Sequence, residues 1–252
     1  MPPPPRFPTT MRHVKTLSCL LLAAFCLTLQ ADDTTKTKPE AKAKRAPNPA
    51  FAPVTDVAGL PRVLLIGDSI SIGYTVAVQE LLKGKANVHR IPTNGGPSSR
   101  GVESLKDWLG DSKWDVIHFN FGLHDLVYMG PDGARLVDSK LPGAKHQVPL
   151  PDYEKNLTQI AQTLKATGAK VIWCNTTPVP EGSAGRVADE ALLFNEVAAK
   201  VMQAEGLPTN DLHAHAKAKL SDIQLPANVH FSPEGSKYLA EKVAAEIAAT
   251  LK

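Results

Sequence analysis

The sequence predicts an α/β domain, a parallel sheet covered by helices on both faces. Three observations predict it. Short continuous apolar runs such as Val63-Leu64-Leu65-Ile66 have strand length and read as strands buried on both faces. Segments with helical spacing alternate with those runs along the chain. From residue 55 to residue 252 there are about 200 residues, enough for one domain with a sizeable core.

The elements follow in order. Residues 63–66 form the first strand, and residues 76–82 read as a helix. Residues 87–91 are a weaker strand, and residues 102–109 a short helix. "WDVIHFNF", residues 114–121, carries β-branched and aromatic residues and reads as a strand. Residues 153–167 place Leu157, Ile160, Ala161 and Leu164 on one helical face, closed by Gly168. "KVIWCN", residues 170–175, is another buried strand. Residues 188–204 form a helix with Leu192, Val197 and Val201 among its apolar positions. Residues 209–212 are the fifth and last strand. Ser232-Pro233-Glu234 then opens a final helix, serine as cap and proline in the first turn. Residues 127–149 hold Gly, Pro and few periodic apolar positions. They read as a long loop able to shape a pocket, with Tyr128 and His146 its most notable members.

The N-terminus differs from the rest. Met11-Arg12-His13-Val14-Lys15 is basic, and residues 17–29 are an apolar run of signal-peptide length, short for a bilayer span. Ala31 before Asp32-Asp33 suits cleavage. Residues 1–31 are therefore expected to be a signal peptide, with a buried helix or an anchor as the alternatives. Residues 32–54, rich in Lys, Ala, Thr and Pro, are expected to be a disordered linker. The domain is then 55–252, exported to the periplasm or the extracellular space. Cys26 is a poor lipid-attachment site because bulky Phe25 precedes it.

The formal charge of +3 comes from Arg6, Arg12 and Lys15 in the leader; beyond residue 31, 25 basic residues face 25 acidic ones. A neutral domain gives no electrostatic case for nucleic acid or an anionic membrane, and no membrane insertion of the mature domain is expected. Cys174 stands alone inside a strand and reads as a buried thiol. His213 and His215 have no cysteine or carboxylate cluster around them, so no metal is expected.

Ligands of parallel sheets sit at the carboxyl ends of the strands. Gly67-Asp68-Ser69 lies at one such end, and so do Asn94-Gly95-Gly96 and Gly122-Leu123-His124-Asp125. Ser69 is either a helix cap or a nucleophile presented at a helix N-terminus, where free N–H groups favour negative charge. Glycine at 95 and 96 lets a substrate oxygen approach a backbone N–H. His230, in "NVHFSPEG", can act as a base near neutral pH. Arg100 is a candidate for a substrate carboxylate or sugar hydroxyl. Asp125 more readily organises its loop than donates a proton.

These residues resemble the SGNH, or GDSL-type, hydrolases. "IGDSIS" is similar to that family's first block, "NGGPSSRG" to the second, "FGLHDL" to the third and "VHFSPEG" to the last, in the right order across the globular region. The resemblance implies a flavodoxin-like three-layer α/β/α fold with about five strands and ester hydrolysis without a metal or other cofactor. It implies Ser69 as nucleophile, His230 as base, and an oxyanion hole from Gly96, with Gly95 as second choice, and from His124. The family has asparagine where His124 stands, so oxyanion duty there depends on tautomer. It usually has aspartate two or three residues before the histidine; here those positions are Asn228 and Ala227. Asn228, Asp222 or a main-chain carbonyl is left to orient His230, as a triad or a Ser–His dyad. The expected activity is a serine esterase, most readily one removing O-acetyl groups from carbohydrates. The alternatives are a lipid or acyl-thioester hydrolase, and an impaired relative that binds acylated glycans.

Overall fold

The computed structural model describes residues 47–252, so the expected signal peptide and residues 32–46 of the expected linker lie outside the described residues. In chain order the main elements begin with β1 (Arg62–Ile66), α1 (Ser69–Leu81), β2 (Asn87–Arg90), α2 (Ser98–Leu109) and β3 (Val116–Phe119). A hairpin of β4 (Tyr128–Met129) and β5 (Lys145–His146) follows. Then come α3 (Leu150–Ala166), β6 (Lys170–Cys174), α4 (Ala191–Glu205), β7 (Thr209–Asn210), α5 (Leu212–Lys217), α6 (Leu220–Ile223) and α7 (Pro233–Thr250).

The sheet is five-stranded and parallel, in the order β2-β1-β3-β6-β7. With the hairpin set aside this is the 2-1-3-4-5 order of doubly wound folds. Its switch point lies between β1 and β3, where such sheets open a crevice. Val63, Leu64, Leu65 and Ile66 are all buried, as a strand covered on both faces requires. In register, Leu64 stands beside Ile117 and Ile117 beside Val171, so the centre of the sheet is apolar except for buried His118 on β3. Each such side chain contributes roughly 1.5–3 kcal/mol on burial. α1 packs on α7, while α2 packs on α3 and α3 on α4, which gives the expected three layers.

Local chemistry sets the helix ends. Ser232 Oγ accepts from Gly235 N at 2.9 Å and Pro233 occupies the first turn of α7, whose Leu239, Val243 and Ile247 are buried. Gly168 takes φ +79° just past α3, a left-handed stop that glycine adopts freely. α1 starts at Ser69, seven residues before the sequence expectation. Its cap is Asp68, whose Oδ1 accepts from Ile70 N at 2.9 Å.

Two expectations change. Residues 47–54 of the expected linker include an ordered 3-10 turn, Pro49–Phe51. Asn48 Oδ1 accepts from Ala50 N, Ala50 is buried, and the Arg90 guanidinium lies 4.9 Å from the Phe51 ring centroid. A single small apolar residue and one aromatic suffice to dock the turn, a signal too brief to stand out in a Lys/Ala/Pro-rich stretch. The long loop 127–149 carries the two-residue strands of its hairpin, too short for a period to register. Among the described residues no helix is long and apolar enough to cross a membrane.

Candidate active site

The carboxyl ends of β1, β2 and β3 and the loop before α7 converge on one cleft. Its volume is about 400 Å³, and its lining includes Ser69, Asn94, His124, Asn228 and His230. Because Asp68 caps α1, the Ser69 hydroxyl is released from that duty and is free to face the cleft. His230 Nε2 lies 2.9 Å from Ser69 Oγ.

The protons of this pair can be placed by elimination. The backbone N–H of His230 must donate, and it points at Asn228 Oδ1 at 3.0 Å, which fixes the amide oxygen on that side. The same oxygen lies 2.7 Å from His230 Nδ1, so Nδ1 carries the proton. Nε2 is then an acceptor, turned to the serine hydroxyl. The arrangement is Ser–His–Asn, with an amide oxygen holding the tautomer that a triad's carboxylate would hold.

The loop that carries His230 is fastened at its base. Ser232 N donates to Ile223 O at 2.8 Å, Leu225 N to His230 O at 2.9 Å, and Gln224 Nε2 to Pro178 O at 2.8 Å. Asp222 is exposed on α6 and accepts from Ser221 Oγ at 3.2 Å. Of the candidate orienting groups, the His230 ring meets Asn228 and not Asp222, because the two-residue spacing brings the amide back onto the ring.

The second loop offers one N–H and commits another. Gly95 N donates to Gly67 O at 3.0 Å, tying the loop to the end of β1, so it has no donor left for a ligand. Gly96 takes φ +67° and its N–H donates to Asn94 Oδ1 at 2.9 Å. That donor becomes available to a ligand when the Asn94 side chain turns away.

His124 follows β3. Arg135 Nη2 lies 3.3 Å from His124 Nδ1. A guanidinium only donates, so Nδ1 accepts and a neutral His124 carries its proton on Nε2. Burial, chiefly, holds its pKa below the ordinary value; Asp68 opposes this, and the charges of Arg135 and Arg186 reinforce it. A neutral ring with Nε2–H is a donor of the kind an oxyanion needs, and the tautomer left open by the sequence is set by Arg135.

The remaining candidates fall outside the cleft. Arg100 is exposed, reaches Thr93 Oγ1 at 3.4 Å and covers Gly96 from outside. Tyr128 donates to Glu190 Oε1 at 2.9 Å, and His146 Nε2 lies 3.1 Å from that same oxygen. Both fasten the hairpin to the residue before α4. Cys174 is buried at the end of β6, and burial pushes its thiol pKa up. Among the described residues no His, Cys, Asp and Glu cluster has the form of a metal site.

The lining contributed by Arg135, Leu136 and Arg186 was not legible in the sequence. Leu136 and Ala227, both in the lining, stand at φ +62° and +50°. Such left-handed non-glycine residues concentrate at functional sites, but no residue type announces them.

The model of the GDSL-like lipase/acylhydrolase family matches residues 65–238. Among solved structures, the chain is similar to a lipase/acylhydrolase from Enterococcus faecalis at 20% identity and a TM-score of 0.63, covering 77% of this chain and 98% of that one. It is similar to an acetylxylan esterase from Geobacillus stearothermophilus at 19% identity and a TM-score of 0.59, covering 74% and 94%. A further acetyl xylan esterase has 17% identity and a TM-score of 0.59, covering 74% and 99%. At these identities the likeness shows the fold. No curated protein matches the chain.

Proposed function

The chain belongs to the GDSL-like lipase/acylhydrolase family, and from that premise we propose an exported esterase that removes O-acetyl groups from carbohydrates. The family's reaction is hydrolysis of carboxylic esters through a serine. In this reading Ser69 Oγ attacks the acetyl carbonyl while His230 Nε2 takes its proton. Asn228 Oδ1 holds the Nδ1–H of the ring throughout. The oxyanion lies against His124 Nε2–H and against Gly96 N–H, the latter once it displaces Asn94 Oδ1. Collapse breaks the bond to the sugar oxygen, which leaves with the proton from His230. Water, deprotonated by the same nitrogen, then frees acetate from Ser69.

The observation that carries the reading is the 2.9 Å approach of His230 Nε2 to Ser69 Oγ, with Asn228 behind the ring. A small acyl group is favoured over a lipid chain because two arginines interrupt the cleft's apolar lining. The acetyl xylan esterases of similar fold favour a sugar on the other side of the ester. Export is supported by the basic and apolar character of residues 11–31.

Ser69→Ala is expected to lower kcat on 4-nitrophenyl acetate by ~10⁴-fold or more, to background, with an unchanged melting temperature. A serine-reactive phosphonate should label Ser69 in the folded wild type. The binder reading, favoured by the amide at Asn228, requires neither labelling nor turnover. Faster cleavage of long-chain than of acetyl esters would move the substrate to lipids.

A further inference from the structure

The cleft has a charge pattern that the catalytic pair does not explain. Arg135 and Arg186 both line it, and none of its lining residues is acidic. Neither arginine enters an ion pair among the described residues. Each is held by its stem and leaves donors over. Arg135 Nε donates to Gln147 Oε1 at 3.0 Å and Nη2 points at His124, while Nη1 has no protein partner. Arg186 Nε donates to Leu123 O at 2.9 Å and Nη1 reaches Ala184 O at 3.4 Å, while Nη2 has no partner.

This arrangement is unfavourable in the empty protein. Arg186 is half-buried, and burial pushes its pKa down to about 10, with the charge of Arg135 acting in the same direction. Asp68 attracts it, but that carboxylate is itself buried and gives Oδ1 to the start of α1. A half-buried guanidinium with a second, exposed one beside it and no acidic residue in the cleft lining costs stability unless a ligand supplies the anion. The two come from segments far apart in sequence, the excursion between β3 and α3 and the loop before α4.

We infer that Arg135 and Arg186 form a carboxylate-binding subsite, so that the sugar deacetylated beside Ser69 is an acidic one, carrying a uronate-type carboxylate. The inference rests on the deacetylase reading and narrows its substrate. Guanidinium donors suit a planar carboxylate, which a neutral sugar cannot replace. The carboxylate takes no part in bond making, so the subsite acts equally on ground and transition states. Its effect falls on KM, with kcat little changed.

The test compares methyl glucuronoside and methyl glucoside, each singly acetylated at the same position, by kcat and KM for acetate release. The acid is expected to be preferred by ~10-fold or more in kcat/KM, through KM. In Arg186→Gln the ratio should fall to within about twofold of one. Because Arg186 also ties down Leu123, Arg135→Gln provides the second variant; losing its donor to His124 lowers kcat on both substrates alike, so the ratio isolates the carboxylate and should fall here too. A wild-type ratio near or below one overturns the subsite, and so does a ratio that survives both substitutions. Preference for 4-nitrophenyl hemisuccinate over 4-nitrophenyl acetate, with none for the sugar acid, also overturns it by moving the charge to the acyl side. If 4-nitrophenyl acetate is cleaved and neither sugar acetate is, the deacetylase reading fails. The subsite is then decided by inhibition with glucuronate: inhibition weakened in Arg186→Gln supports it, and no inhibition overturns it.

Discussion

The residue on which the proposed chemistry turns is Asn228. Its amide oxygen accepts from both the backbone N–H and the ring Nδ1 of His230, so it orients the base fully. What an amide cannot supply is a full negative charge opposite the imidazolium that forms as Ser69 attacks. Asn228→Asp keeps an acceptor in the same place and adds that charge. We expect kcat on 4-nitrophenyl acetate to rise ~10-fold with little change in KM, since the charge it balances exists only in the transition state. An unchanged or lower kcat would remove electrostatics from this position and leave orientation as its whole role. Asn228 was legible because its contact is local, two residues from the ring. The role of Arg135 was not, because its contact with His124 crosses a turn and a hairpin.

At the scale of elements, α2 is held by a residue from another segment. Its N-terminal Pro97 makes no side-chain cap, and Asp125 Oδ1 accepts from Ser98 N at 2.8 Å instead. The helix N-terminus favours the carboxylate, but burial dominates and raises the Asp125 pKa from 3.8 to about 7; Oδ2 is buried without a partner. The folded state therefore binds the proton more tightly than the unfolded chain. The carboxyl's contribution is complete below pH 3.8 and is lost as pH rises toward about 7. Asp125→Asn retains an acceptor for Ser98 and removes the charge. It should stabilise the protein by ~1–3 kcal/mol at pH 8 and make little difference near pH 4, read by urea unfolding at the two values. The sequence showed strands β1 and β6 almost residue for residue, because unbroken apolar runs leave little choice of boundary. It hid the first two turns of α1. There Gly73 faces Ser236 of α7, where an added Cβ would stand 3.1 Å from the Ser236 hydroxyl. Ile70, Tyr74 and Val78 are buried at helical spacing, but Ser71, Gly73 and Thr75 stand between them and blur the pattern.

For the whole molecule, the central strand holds a buried titratable group. His118 of β3 is fully buried between Tyr74, edge-on at 6.5 Å, and Asn210, whose Nδ2 lies 3.1 Å from its Nε2. Burial pushes its pKa from 6.5 down to about 4. The unfolded chain takes the proton first, so the stability present above pH 6.5 is lost progressively as pH falls toward about 4, up to ~3 kcal/mol from this one site. Urea midpoints measured across that window should fall more steeply for the wild type than for His118→Gln; parallel slopes would assign the acid sensitivity elsewhere. The alternation of strand and helix made the parallel sheet legible. Placing the segments after β1, β2 and β3 on one edge followed from the sheet, since every crossover returns the chain to the same end; the His230 loop, which follows α6, did not. The same topology sets an order in time. Ser69 is made 161 residues before His230, ~10–30 s earlier at ordinary rates of synthesis. The helix headed by Ser69 packs against α7, which follows His230 in the chain and is made later still. In the proposed mechanism a growing chain thus carries Ser69 for a time without its base beside it. On the same mechanism it becomes reactive toward esters only when the His230 loop and α7 dock, so recovered activity would report completion of this domain's fold.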